Sequence, residues 1–446
     1  MRLDPWASSQ STDYARMKEQ FGLEDIELDK LPNPGKLHRR GIVFSHRDLD
    51  LILDAKKEGR PFGVLTGLMP SGKMHLGHKM VIDQVKWFQD LGADVMIAVA
   101  DLEALATRGM TLEECREIAM SEYVLSYAAM GLDPEKTDIY FQSERSVVQE
   151  LGFTLGKNTN LSEMEALYGF TGETNLAHVQ APLVQAGDII HPQLEEYGGL
   201  RPIVVPVGID QDPHLRFTRG LVSKSNWFNV KFKGSKMTVG LSVKAGNEVG
   251  LGENDDSKRD EIVEGIIGCL KNCGMDKIEA NAKQGRIECE MRDGSQRSRV
   301  RMELCAFERE IGGPGLIQPS STYHRFAVGL TGDKMSSSMP ETTLFLSDTP
   351  DEVEKKIKAA FSGGKETLEE HREKGGDPDI DVAFQYLMFF FEDDDKELER
   401  IHAEYKSGEM LTGELKAICI EKANGWLEEH RKLRAEKEGM IERFLA

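Results

Sequence analysis

The chain of 446 residues predicts an α/β fold: a doubly wound, mostly parallel sheet with an all-helical C-terminal part and a small α+β insertion. Three observations predict it. Apolar runs of buried-strand type alternate with helical patterns from Phe62 to Gly220, the alternation that builds parallel sheets flanked by helices. From Gly220 to about Gly313 the pattern changes to alternating segments around one helix, and after Thr349 apolar residues recur at helical spacing.

In chain order, residues 1–40 are polar, turn at Pro32-Asn-Pro-Gly35 and read as an extension. Phe62-Gly-Val-Leu-Thr66 is a buried strand, Gly67 to Lys73 a loop, and Val81, Val85 and Phe88 mark a following helix. Val95 to Ala100 is a second strand, Thr111 to Met130 a helix opened by a Thr111–Glu114 capping box, and Ile203 to Val207 a later strand. Gly220 is expected to end the helix that carries Thr218 and Arg219. Trp227 to Val243 and Gly285 to Met291 alternate around a helix from Arg259 to Lys271. Thr349-Pro350 with Glu352 caps a helix, and Asp379–Phe391, Asp394–Tyr405 and Leu411–Phe444 complete a predicted bundle.

A formal charge of −20 argues against indiscriminate nucleic-acid binding, because phosphate attraction supplies most non-specific affinity. A nucleic-acid ligand then needs local patches, for which Lys36, His38, Arg39, Arg40 and Arg47, and Arg431, Lys432, Arg434 and Lys437, are the candidates. The six cysteines form no Cys-x-x-Cys pair, so neither a disulfide framework nor a zinc ribbon is expected. No run approaches the roughly 18 apolar residues of a membrane span, and MRLDPWASSQ lacks the apolar core of a secretory signal. A cytoplasmic location without membrane contact is expected.

Two stretches carry chemistry. His75-Leu-Gly-His78 sits at the start of the helix after the first strand, where free N–H groups and the helix dipole favour phosphate. Imidazoles donate to phosphate oxygens, and Gly77 leaves bare backbone for a nucleotide to approach. Gly329-Leu-Thr-Gly-Asp-Lys-Met-Ser-Ser-Ser338 is a loop by composition, with one flexible cation and three hydroxyls, suited to a mobile phosphate clamp. Together they point to one ATP site.

Pro70-Ser-Gly-Lys-Met-His-Leu-Gly-His78 with Lys334-Met-Ser-Ser-Ser338 resembles the two signature motifs of class I aminoacyl-tRNA synthetases. Val205-Pro-Val-Gly-Ile-Asp-Gln-Asp-Pro-His-Leu-Arg-Phe-Thr-Arg219 resembles the tryptophanyl family within that class. So do Phe361-Ser-Gly-Gly, Glu369-Glu-His-Arg372, Gly375-Gly376 and Phe391-Glu-Asp-Asp-Asp395, and Gly41-Ile-Val-Phe-Ser-His-Arg-Asp48 resembles its archaeal branch. The resemblance implies a Rossmann-like catalytic domain over 41–220 and 314–348, an insertion over 221–313, and a helical anticodon-binding domain over 349–446.

It implies a tryptophan–tRNA ligase that uses ATP and Mg²⁺, with L-tryptophan and tRNA(Trp) as partners and a homodimer as the assembly. His75, His78 and Lys334 become the catalytic residues. Gly67, Pro70, Ser71, Gly77, Met335, Ser336 and Ser337 would bind ATP. Leu65, Glu103, Gln185, Asp188, Gly208, Asp210 and Gln211 would bind tryptophan, with no protein metal site. Asp188 matches the aspartate that takes the indole N–H in bacterial-type enzymes, but tyrosyl enzymes place an aspartate similarly, so it does not decide between them. Leu65 and Ala98 stand where the eukaryotic form carries a tyrosine and a glutamine, which favours the aspartate. The alternatives are a tyrosine–tRNA ligase, a small-molecule nucleotidyltransferase and a tRNA-binding synthetase paralogue without catalysis.

Overall fold

The computed structural model describes residues 14–242, 256–332, 335 and 340–445. Its main sheet comprises β1 (Glu24–Asp25), β2 (Val43–Arg47), β3 (Gly63–Leu68), β4 (Asp94–Val99), β5 (Thr137–Phe141), β6 (Ile203–Gly208) and β11 (Ser320–His324). They lie in the order β1-β2-β11-β6-β3-β4-β5. The five strands from β11 to β5 are parallel, and β2 and β1 extend the sheet antiparallel at one edge.

Strand side chains alternate between two apolar layers. Val64, Val95, Ile97, Val99 and Val204 join one layer, whereas Leu65, Met96, Ile203 and Val205 join the other. This is the period of two expected of a strand buried on both faces, and it explains why these strands read as continuous apolar runs. The first layer holds the helix Leu76–Asp90 and runs on without a break into the C-terminal helices through Leu415, Cys419, Ala423 and Leu427. The second holds the helices Ser146–Gly156, Leu161–Tyr168, Leu176–Ile190 and Asp212–Ser225.

In the chain between the helix Asp212–Ser225 and β11 comes a four-stranded antiparallel sheet of β7 (Phe228–Lys233), β8 (Lys236–Leu241), β9 (Asp276–Asn281) and β10 (Arg286–Glu290), in the order β7-β8-β10-β9. The helices Asp256–Asn272 and Gln296–Glu310 pack on it around a separate core that includes Trp227, Val239, Ile266 and Leu304. Glu308 fastens this unit to the chain on either side by accepting from the backbone N–H groups of Trp227 (2.8 Å), Phe228 (3.0 Å) and Gly315 (3.0 Å). Arg301 reaches back to Asp48 at 2.9 Å.

One expectation is corrected. Gly220 does not end its helix, which continues to Ser225; a Cβ there would meet nothing within 4 Å, so the residue lies on an open helix face rather than at a cap. The basic N-terminal stretch has much of its charge met inside the fold. Lys36 pairs with Asp393 (2.7 Å), and Arg39 and Arg40 with Asp395 (2.7 and 2.8 Å), which ties the N-terminal segment to the helical region. Arg431 donates to the Asp348 carbonyl and Arg434 to Ser126. The acidic run Glu392-Asp-Asp-Asp395 is therefore a structural counterpart of the Lys36–Arg40 stretch.

Candidate active site

The chain runs outward through β3, β4 and β5, then returns to the other side of β3 for β6. Open α/β sheets bind ligands at such a switch point, outside the carboxyl ends of the strands. Here β3 and β6 pair only at Gly63–Ile203 and Val64–Val204 and then part. A cleft of about 370 Å³ opens between them, lined by Leu65–Met69 on one side and Val205–Gly208 on the other.

One end of the cleft is the start of the helix Leu76–Asp90. His75 is its N-cap: Nδ1 accepts from the Gly77 N–H at 3.0 Å, while His78 Nδ1 accepts from the His75 N–H at 3.1 Å. The rings lie against each other, tilted by 31°, with centroids 3.8 Å apart. A nitrogen that accepts a backbone N–H carries no proton, so in each neutral ring Nε2 is the donor. Burial holds the His78 pKa down at about 4, so at neutral pH it is an uncharged donor lining the cleft. Gly77 is needed for a reason the sequence did not reveal: a Cβ there would lie 2.8 Å from the His75 ring.

The other end is floored by Asp188, on the helix Leu176–Ile190. This helix crosses Ser146–Gly156 at backbone contact, since a Cβ on Gly187 would meet the Val148 carbonyl at 2.1 Å and one on Gly152 the Leu183 carbonyl at 2.6 Å. Small residues at the crossing thus set the depth of Asp188 beneath the sheet edge. Tyr140 Oη donates to Asp188 Oδ1 at 2.8 Å, and Gln142 Nε2 donates to Oδ2 at 2.5 Å. Tyr140 is held in turn by the Arg145 guanidinium, 3.9 Å from its ring centroid, which is itself fixed by Asp138. Burial pushes the Asp188 pKa up to about 7 against the two donated hydrogen bonds, and the nearby Glu103 and Asp101 add to the rise.

Residues 56–244 and 299–428 match the family described as tRNA synthetases class I (W and Y). The chain belongs to the class I tRNA synthetases. A tryptophan–tRNA ligase of Methanosarcina acetivorans is 42% identical over 97% of this chain and 96% of its own length, and one of Archaeoglobus fulgidus is 39% identical over 97% of each. The solved tryptophanyl-tRNA synthetase of Aeropyrum pernix, 33% identical, superposes with a TM-score of 0.74 over 100% of this chain and 99% of that one.

In this class I synthetase the cleft gathers Leu65, Gly67, Ser71, His78, Glu103, Gln185, Asp188, Gly208 and Gln211. His75 stands behind His78 as the cap. Pro70, Gly77 and Asp210 are close in sequence to lining residues without lining the cleft; Asp210 is buried and accepts from Gln211 Nε2 at 3.3 Å. Met335 is buried in the core layer that also holds Leu330 and Leu344. Lys334, Ser336 and Ser337 lie outside the described residues. Among the described residues, no group of three or more His, Cys, Asp or Glu side chains is placed to hold a metal ion, and no helix is long and apolar enough to cross a membrane.

The sequence reading missed Gln142, Tyr140, Arg108 and His214. Gln142, Arg108 and His214 line the cleft, and Tyr140 stands behind Asp188. Tyr140 and Gln142 fall on β5 and the residue after it, a strand whose alternation was signalled by Ile139 and Phe141. Arg108 is the one permanent cation among the described residues of the wall.

Proposed function

We infer that this synthetase activates L-tryptophan with ATP and transfers it to tRNA(Trp). The observation that carries the reading is the continuity of one cleft from a phosphate-type helix start at His78 to a buried hydrogen-bonding floor at Asp188, with the apolar walls of Leu65, Ala98, Ile189 and Val205 between them. ATP enters as its Mg²⁺ complex. A tryptophan carboxylate oxygen attacks the α-phosphorus, the bond from that phosphorus to the bridging oxygen breaks, and pyrophosphate leaves. A hydroxyl of the terminal tRNA ribose then attacks the acyl carbon and AMP departs.

No protein nucleophile is required, because the amino-acid carboxylate is ionised at neutral pH; the rate comes from positioning and from stabilising charge on the phosphates. His75 and His78 donate through Nε2, Arg108 adds a fixed cation, and Lys334 with Ser336 and Ser337 closes on the departing pyrophosphate. Gly67, Pro70, Ser71, Gly77 and Met335 shape the nucleotide side. Glu103, Gln185, Gly208, Asp210 and Gln211 hold the ammonium and carboxylate of tryptophan, and Leu65 and Asp188 belong to the part of the cleft that takes its ring. The helices after β5 expose Phe153, Leu161 and Leu176, an apolar surface that suits a second copy of the chain and hence a homodimer. The protein works in the cytoplasm, with its tRNA.

ATP–pyrophosphate exchange, run with each standard amino acid, tests the reading: exchange with tryptophan alone is expected, and exchange with tyrosine alone refutes it. Lys334→Ala should lower exchange about 10²–10³-fold while tryptophan binding, measured by calorimetry, is unchanged; equal loss of both contradicts a transition-state role.

A further inference from the structure

Three polar groups, Tyr140, Gln142 and Asp188, meet at the floor of the cleft. Tyr140 spends its hydroxyl proton on Asp188, and each oxygen of Asp188 takes one donor. Gln142 is different. It is 3% exposed, it lines the cleft, and its Nε2 is bound to Asp188, yet its Oε1 is shielded from solvent and takes no hydrogen bond from any described residue. Buried polar atoms are nearly always paired, so an orphan in a site wall marks where a ligand group belongs.

The end of the amide left over is not arbitrary. An ionised carboxylate can only accept, so it selects the N–H end of the Gln142 amide and leaves the carbonyl as the available end. The Gln142 backbone is pinned on both sides: its N–H bonds to the Val99 carbonyl at 3.1 Å, and its backbone carbonyl takes Gln149 Nε2 at 2.9 Å. Behind it, Asp188 is steadied by Tyr140 beneath the Arg145 guanidinium. A single acceptor of fixed orientation, beside walls of Leu65, Ala98, Ile189 and Val205, matches a flat apolar ring that carries one donor and no acceptor. Indole is such a ring.

We propose that Gln142 Oε1 accepts the indole N–H of tryptophan, and that Asp188 and Tyr140 are positioning residues that orient the Gln142 amide rather than the direct contact. This deepens the reading of the site as a tryptophan site and rests on it. The hydrogen bond selects for the N–H, while the width of the apolar walls selects for the ring.

The test pairs tryptophan with β-(benzothiophen-3-yl)alanine, which keeps the shape and replaces N–H by sulfur. For each enzyme the ratio of kcat/KM in ATP–pyrophosphate exchange is taken for the two amino acids, so that any inactive or unfolded fraction cancels. The parent should prefer tryptophan by about tenfold or more. Gln142→Met, which keeps length and loses the acceptor, should bring the ratio to about one. A Gln142→Met ratio equal to the parent's overturns the proposal and returns the contact to Asp188; a parent ratio of about one also overturns it. Absence of tryptophan exchange in the parent fails the tryptophan reading itself, and that outcome is seen before any variant is made.

Discussion

Asp188 is a buried carboxylate and Asp48 a half-buried one, and their titration is shifted in opposite directions. Burial pushes up on each, but beside Asp48 the guanidinium groups of Arg301 and Arg219 outweigh it and hold the pKa at about 2. Arg219 donates to Asp48 at 2.5 Å and Arg301 at 2.9 Å. No ion pair joins Asp188 to a cation among the described residues. Its partners, Tyr140 and Gln142, are neutral, and its pKa sits at about 7. The difference separates two uses of a buried charge: one matched by counter-charges joins the insertion to the sheet edge, whereas one left unmatched is costly to the fold and faces the cleft.

The largest effect should come from breaking the matched site. Asp48→Asn keeps a residue tolerant of the positive φ of 51° found there and strands two arginines. Urea unfolding should show a loss of about 3 kcal/mol with the amino-acid preference in exchange unchanged; a changed preference would join Asp48 to the site. Because its folded pKa lies below the unfolded value, Asp48 stabilises fully above about pH 4, and that contribution fades as pH falls through 2. The gap between parent and variant should therefore close in acid.

The unmatched site sharpens the contrast through pH. Below about 7 Asp188 takes up a proton, and its new O–H competes for the Gln142 carbonyl. With ATP saturating, kcat/KM for tryptophan should fall about tenfold between pH 8 and pH 6, on the order of one pKa unit of coupling. His78 and His214 remain neutral through that window, since burial holds both near 4. A flat profile removes Asp188 from ring recognition. The smallest effect is expected at exposed pairs: Arg39→Ala, losing a half-exposed partner of Asp395, should change stability by about 0–1 kcal/mol and leave the salt dependence of tRNA binding unaltered. A lower salt slope would restore Arg39 as a phosphate contact.

The parallel core was legible because Val64–Thr66, Val95–Val99 and Ile203–Val205 are buried on both faces and read as unbroken apolar runs. The phosphate end was legible because its logic is local: N-cap, histidines and glycine lie within four consecutive residues. The floor of the cleft was less so. Asp188 was visible by resemblance, but its partners Tyr140 and Gln142 come from the end of a strand 48 and 46 residues away, and no local pattern encodes that meeting. The ion pairs of the basic N-terminal stretch were hidden for a related reason. Lys36, Arg39 and Arg40 are spoken for by Asp393 and Asp395 more than 350 residues later, pairings that composition cannot show.

The most direct measurement is on Asp188→Asn, followed by urea unfolding across pH and by exchange with tryptophan and the benzothiophene analogue. A group whose folded pKa is raised stabilises below its unfolded value and loses that contribution as pH rises through 7. Relative to the parent, the variant should gain on the order of 2 kcal/mol between pH 5 and pH 8, while its preference for tryptophan collapses. A variant that grows less stable with rising pH and keeps the full preference would show that Asp188, like Asp48, only holds the fold together.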